Sequence, residues 1–172
     1  MRKILIVVDM QNDFVDGVLG TKEAVAIVPN VVKKINEFKG EIIVTYDTHN
    51  DDYMNTREGK YLPVPHCIKN TEGWQLNKDV EMALMGKGAT KLRKPTFGSV
   101  KLVDLLSDVT NDTEITLIGL CTDICVVSNA MLLKANYPEI DIVVDSTCCA
   151  GVTPEKHNAT LEVLRSCQID VI

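Results

Sequence analysis

The sequence predicts a single α/β domain over residues 1–172, built as three layers, α/β/α, around a six-stranded, mainly parallel, doubly wound sheet. Three observations lead there. Short apolar runs alternate with helical patterns along the whole chain. The runs are apolar throughout rather than at every second position, as strands covered on both faces require. No composition shift, linker, repeat or low-complexity stretch marks a second unit.

The elements follow in order. Ile4–Val8 is the first strand, ending in Asp9. Pro29 suits the first position of a helix that carries Val31, Val32, Ile35 and Phe38 on one face and stops at Gly40. Ile42–Tyr46 is the second strand, and the stretch from Thr48 to about Gly73, broken by Pro63 and Pro65, reads as loop. A helix is expected over Asn77–Met85, a short third strand near Thr90–Leu92 and a helix over Val100–Leu106. The fourth strand, Glu114–Gly119, leads into a helix over about 123–136. Ile140–Val144 is the fifth strand, Pro154 to about Arg165 the last helix, and Ile169–Ile172 the sixth strand.

Composition narrows the function. Net charge is −6 with no long run of one sign, which argues against a nucleic-acid partner or an anionic membrane surface. No stretch is long enough to span a bilayer. The Met1-Arg2-Lys3 opening resembles a signal peptide, but its apolar run is too short and ends in Asp9. Six cysteines without paired C-x-x-C clusters read as free thiols in a reducing compartment, so a cytoplasmic location is expected. No G-x-G-x-x-G follows the first strand, which disfavours a dinucleotide site.

Four groups fall just beyond the carboxyl ends of successive strands: Asp9, the pair Asp47 and His49, Lys94, and Cys125. In a doubly wound sheet that edge is where ligands bind. Taken singly, each has an ordinary explanation: a cap for Asp9, a surface lysine for Lys94, a core thiol for Cys125. Together they make a nucleophilic triad without histidine, in which a carboxylate takes the thiol proton and an ammonium favours the thiolate. A thiol one turn into a helix also feels the positive end of the helix dipole. Asp47 and His49, two apart in extended chain, point the same way and can share a metal with His66. Such a site suits Zn²⁺, Fe²⁺ or Mn²⁺. His157, in the first turns of the last helix, reads as structural or solvated. The adjacent Cys148 and Cys149 read as packing thiols just after the fifth strand.

The segments Val8-Asp9-Met10-Gln11-Asn12-Asp13-Phe14, Tyr46-Asp47-Thr48-His49, Pro65-His66-Cys67-Ile68, Lys94-Pro95-Thr96-Phe97 and Thr122-Asp123-Ile124-Cys125-Val126 resemble the isochorismatase-like cysteine hydrolases, in particular the nicotinamidase/pyrazinamidase branch. They run in the family order over nearly the whole chain. The resemblance implies triad roles for Asp9, Lys94 and Cys125, and one divalent metal, zinc foremost, on Asp47, His49 and His66. Glu58 is the nearest carboxylate to a further ligand that some relatives carry, offset by about one position. The resemblance also implies a non-proline cis peptide at Leu120–Cys121, an oxyanion hole formed by the backbone N–H groups of Cys121 and Cys125, and a dimer or tetramer of identical chains. The implied reaction turns a small-molecule amide, nicotinamide, into nicotinate and ammonia, a step of NAD salvage. One departure bears on substrate. Many nicotinamidases carry Trp–Pro before the last histidine ligand, where this chain reads Tyr61-Leu62-Pro63-Val64-Pro65-His66, leaving Phe14, Phe97 and Tyr61 as the substrate-facing rings. Three alternatives stay open: a cysteine hydrolase of a carbamoyl or ureido amide, a metallohydrolase with Cys125 as a core thiol, and a non-catalytic binding module of the same fold.

Overall fold

The computed structural model describes residues 1–172 and shows six parallel strands in the order β3-β2-β1-β4-β5-β6. They are β1 (Arg2–Val8), β2 (Glu41–Asp47), β3 (Thr90–Lys94), β4 (Thr113–Leu120), β5 (Asp141–Ala150) and β6 (Asp170–Val171). The chain winds outward from β1 to β3, then returns to β1's other side with β4. The switch point between β1 and β4 is therefore where the sheet leaves a crevice.

Alternation along the strands divides the core into two layers. Leu5, Val7, Ile42, Val44 and Ile118 face one side, where they meet α2 (Lys22–Glu37) and α4 (Lys78–Leu84). Ile4, Ile6, Val8, Ile43 and Leu117 face the other, under α5 (Val100–Leu105), α6 (Val127–Asn136) and α7 (Pro154–Ser166). Because both faces are covered, β1 carries no polar alternation from Ile4 to Val8. Gly119, at φ +117°, lets β4 run against β1, since a Cβ there would collide with the Val8 carbonyl oxygen. No helix is long and apolar enough to cross a membrane.

Several boundaries differ from the sequence expectation. Pro29 lies inside α2 rather than at its start. The true N-cap is Thr21, whose Oγ1 accepts from Ala24 N at 3.0 Å, and Ala24, Ile27, Val28, Val31 and Ile35 form the buried stripe. That stripe outweighs the single helical hydrogen bond a proline removes. The 48–73 stretch is not wholly loop: it holds a 3-10 turn at Tyr53–Asn55 and α3 (Arg57–Tyr61), capped by Thr56 Oγ1. A short α1 (Asn12–Val15) follows β1. The fifth strand does not stop at Val144 but continues to Ala150, so Cys148 and Cys149 lie within β5 and face opposite layers.

The polar stretch that disguised this strand has a structural use. Asp145 takes a 2.8 Å ion pair from Lys34 of α2 and hydrogen bonds from Thr147. Burial pushes the Asp145 carboxyl up, but the Lys34 and Thr147 bonds outweigh it and hold the group below its usual range. A depressed folded pKa stabilises above the unfolded value, ~3.9, and that contribution disappears as pH falls through the lower folded value. Asp145→Asn should therefore destabilise by about 1–2 kcal/mol at neutral pH. In urea titrations across pH the deficit should shrink towards zero as the solution is acidified below pH ~4.

Candidate active site

The carboxyl ends of β1 to β4 deliver the polar groups to one place. Asp9 follows β1 with its backbone at φ 47°, a left-handed conformation that aspartate tolerates and that turns its side chain under the sheet edge. Thr45 of β2, paired in register with Val8, holds it there: Thr45 Oγ1 donates to Asp9 Oδ1 at 2.6 Å. Lys94 ends β3, opposite Asp47 in the register of β2 and β3. Its ammonium lies 2.6 Å from Asp9 Oδ2, 3.1 Å from the Thr96 carbonyl and 3.3 Å from Cys125 Sγ. Asp9 and Lys94 are both wholly buried.

Burial raises the Asp9 carboxyl, with Lys94 pulling it back and Asp47 adding to the rise; the net direction is up. For Lys94 burial acts downward, but the charges of Asp9, Cys125 and Asp47 prevail and keep the ammonium protonated. Asp9 Oδ2 receives no well-aligned hydrogen bond despite the close ammonium, so it retains an acceptor position inside the site.

Cys125 sits on a π-helical turn, Thr122–Val126, between β4 and α6, rather than one turn into an α-helix. The Leu120–Cys121 peptide that feeds the turn is cis. Burial and the Asp9 charge push the Cys125 thiol well above its ordinary range, and Lys94 only partly opposes them. Burial thus favours the protonated thiol, against the pull of the ammonium towards thiolate. The turn is clasped to α7 by Thr122 Oγ1 to His157 Nδ1 at 2.7 Å, and to the β5–α7 connection by Val152 N donating to Asp123 Oδ1 at 2.9 Å. His157 is structural.

A second cluster adjoins the first. One ligand atom each from Asp47, His49, Glu58 and His66 lies within 4.8 Å of all the others. His49 Nε2 is 3.0 Å from Asp47 Oδ2, and both histidine Nε2 atoms are 3.6 Å from Glu58 Oε1. His66 Nδ1 lies 2.8 Å from the Val64 carbonyl and donates to it, which leaves its Nε2 lone pair turned into the cluster. Two imidazoles and two carboxylates aimed at one point are a donor set for a zinc-like divalent cation. Burial lowers His66, but Asp47 and Glu58 outweigh it and raise it to about 10. Glu58 reaches the cluster from α3.

Sequence reasoning passed over the supports. Buried Gln11 grips the backbone of Asp47 at both ends, donating to its carbonyl and accepting from its N–H, each at 2.8 Å. Asp13 Oδ2 accepts from Cys67 N at 2.8 Å and so fastens the loop that carries His66. Gln11 and Asp13 stand in the same short segment as Asp9, the one signal that could have marked them. Cys125 and the residues Asp47, Glu58 and His66 line a cavity of about 660 Å³, together with Phe14, Phe97 and Cys121. Phe14 packs on the His66 ring at 5.4 Å between centroids. Tyr61 also lines this cavity, at its exposed end: it is 77% exposed, with the Arg57 guanidinium carbon 5.0 Å from its ring centroid.

Residues 3–172 match the family model of the isochorismatase domain. The chain belongs to the isochorismatase family. It is 26% identical to the nicotinamidase of Schizosaccharomyces pombe, over 98% of this chain and 91% of that protein. The crystal structure of a nicotinamidase/pyrazinamidase from Bacillus subtilis superposes with a TM-score of 0.85, at 26% identity and 99% coverage of each chain. The pyrazinamidase of Pyrococcus horikoshii in complex with zinc superposes with a TM-score of 0.80, at 26% identity over 100% of this chain and 99% of that one. The six-stranded parallel architecture is therefore that of a known enzyme family.

The two clusters meet only where Lys94 Nζ comes within 3.9 Å of Asp47 Oδ1. Losing even a partner that merely orients a ligand weakens metal binding by about 10–100-fold. His66→Ala should weaken zinc affinity by at least that much, measured by competition with a chelator of known affinity. Alkylation of Cys125 by iodoacetamide, followed by mass spectrometry, should be little changed. A parallel collapse of both would show that the clusters form one unit.

Proposed function

We propose that this protein is a metal-assisted cysteine amidohydrolase, and that its substrate is nicotinamide, hydrolysed to nicotinate and ammonia. The observation that carries the reading is the buried ammonium of Lys94, which touches both Asp9 Oδ2 and the Sγ of Cys125, a residue that lines the cavity. A structural ion pair gains nothing from a thiol as third partner, whereas a nucleophile needs both a proton acceptor and a nearby positive charge. Similarity to nicotinamidases and pyrazinamidases supports the substrate class.

In this reading Asp9 takes the proton of Cys125 as the sulfur attacks the carboxamide carbon. The raised carboxyl of Asp9 suits that exchange, since its basicity approaches what a buried thiol requires. Lys94 offsets the charge that develops on sulfur. The oxyanion of the tetrahedral intermediate is met by backbone N–H groups of the turn. That of Cys121 donates to no other backbone acceptor and is free for the role. Such a donor is worth ~10²–10³ in rate. Asp9 returns its proton to the amine, ammonia leaves, and a thioester links substrate to Cys125. Water then attacks the thioester with Asp9 as base, releasing the acid and restoring the thiol.

Asp47, His49, Glu58 and His66 would hold the metal, zinc foremost, which supplies a Lewis-acid contact for the ring nitrogen. Phe14 and Phe97 flank the space above Cys125 and exclude water from the ring faces. All six cysteines are free, which fits a reducing, cytoplasmic setting.

Two experiments test the reading. Cys125→Ala should abolish ammonia release, and the other five cysteine-to-alanine variants should retain it. Cys121 is included, because its part is played by its backbone. Iodoacetamide inactivation should follow labelling of Cys125 and be slowed by substrate. Retained turnover in Cys125→Ala would instead point to a metallohydrolase. The second experiment compares substrates. A site built to contact a ring nitrogen rejects an analogue lacking it by as much as ~10⁴-fold, so pyrazinamide should be turned over well and benzamide hardly at all. Comparable kcat/KM for the two would sink pyridine recognition and shift the choice to a carbamoyl or ureido amide.

A further inference from the structure

Asn129 lies on α6, one helical turn after Cys125, and is wholly buried without lining the cavity. Its side chain does more than a helical asparagine needs to. Nδ2 donates to the Cys125 carbonyl at 2.8 Å and to the Phe97 carbonyl at 3.1 Å, while Oδ1 accepts from Ser99 N at 3.0 Å. These partners settle the amide's orientation, because only its oxygen can meet an N–H and only its nitrogen can meet two carbonyls.

One amide thus joins the turn that carries the thiol to the loop that follows β3. That loop also supplies the Thr96 carbonyl that holds Lys94 at 3.1 Å, and Phe97 of the cavity wall. Gly98 seats the loop directly on the helix start: a Cβ there would lie 3.1 Å from the Ser128 carbonyl oxygen. No side chain cushions this contact, so the spacing between loop and turn depends on the amide bridge.

A back-bond from asparagine to the carbonyl four residues earlier is common in helices and by itself means little. Asn136, on the same helix, shows that simple form, with Nδ2 donating to Leu132 O at 2.8 Å on the exposed side. What distinguishes Asn129 is the pair of bonds to a second segment, and that both segments bear groups of the site.

We propose that Asn129 is a positioning residue that sets the distance of Cys125 from Lys94 and from the Phe97 wall, and thereby the geometry of attack on the carboxamide. This rests on Cys125 being the nucleophile. Displacements of about 1 Å at a reacting group cost on the order of 10²-fold in rate, so a bridge of this kind acts on kcat more than on affinity.

Three variants test it. Asn129→Asp keeps the volume and the acceptor for Ser99 N but turns an oxygen on the two carbonyls. Asn129→Thr can keep the local bond to Cys125 O and is too short to reach residues 97–99. Asn136→Asp removes the same kind of local bond without a bridge and serves as control. Both Asn129 variants should retain zinc and lose about 10–100-fold in kcat for nicotinamide. Iodoacetamide labelling of Cys125 should slow in step, and the control should match the parent. A parental kcat and labelling rate in Asn129→Thr would overturn the proposal, as would an effect confined to KM, which loosening of the Phe97 wall alone would give. Should Asn129→Asp fail to melt cooperatively, Asn129→Thr decides. Labelling needs no turnover, so an inactive parent would refute the amidase while the labelling rates still judged Asn129.

Discussion

A lysine ammonium and an aspartate carboxylate buried together set the terms for the rest of this structure. Desolvation alone would neutralise both groups. Lys94 stays charged because Asp9 stands 2.6 Å away and because a carbonyl and a sulfur complete its surroundings. Removing one member of such a pair leaves an uncompensated buried charge, at a cost of about 3–5 kcal/mol. The ends of β1 and β3 must accordingly be held in register with β2 between them. Thr45 does this from the middle strand, bonding Asp9 while its own neighbours pair with both sides.

The pair also explains the state of the thiol. A helix start and a nearby lysine would by themselves draw the proton off Cys125. Burial and the facing carboxylate oppose that and push the thiol well above its ordinary range. A protonated nucleophile beside a carboxyl of raised basicity is a couple that exchanges one proton with little change in net charge. In a dry site this matters, since creating new charge is what the low dielectric penalises. The Asp47 cluster, 3.9 Å from the ammonium, adds negative charge that further ties Lys94 to its protonated form.

Around these charges lies a layer of polar side chains whose work is placement. Gln11 grips Asp47, Asp13 fastens the His66 loop, and Asn129 links the thiol turn to the loop after β3. Each is buried or tied to backbone groups rather than to side chains. The carbonyls and N–H groups they satisfy belong to the irregular segments between strand ends and helices, which have no sheet or helix ladder to meet them. A site assembled from loops thereby gains the rigidity of the sheet beneath it.

Much of this was legible in one dimension. Apolar runs such as Ile4–Val8 and Ile115–Ile118 are read the same way by a sheet covered on both faces and by a simple count of residues. Groups that end those runs, Asp9, Asp47 and Lys94, inherit their positions from the strands, so local sequence determined where they would gather. It did not determine what depends on partners far away in the chain. Pro29 looked like a helix start because the stripe that stabilises α2 is recognised only against β5 and α4. Asp145 to Thr147 looked like a strand end until Lys34 came across from another element to pair with Asp145. Glu58 joined the metal-type cluster only through the turn of α3, and the protonation of Cys125 followed from burial, which no local pattern encodes. Periodicity and strand order are properties of neighbours in sequence; proton positions, amide bridges and the closing of a ligand cluster are properties of neighbours in space, and only the folded chain decided them.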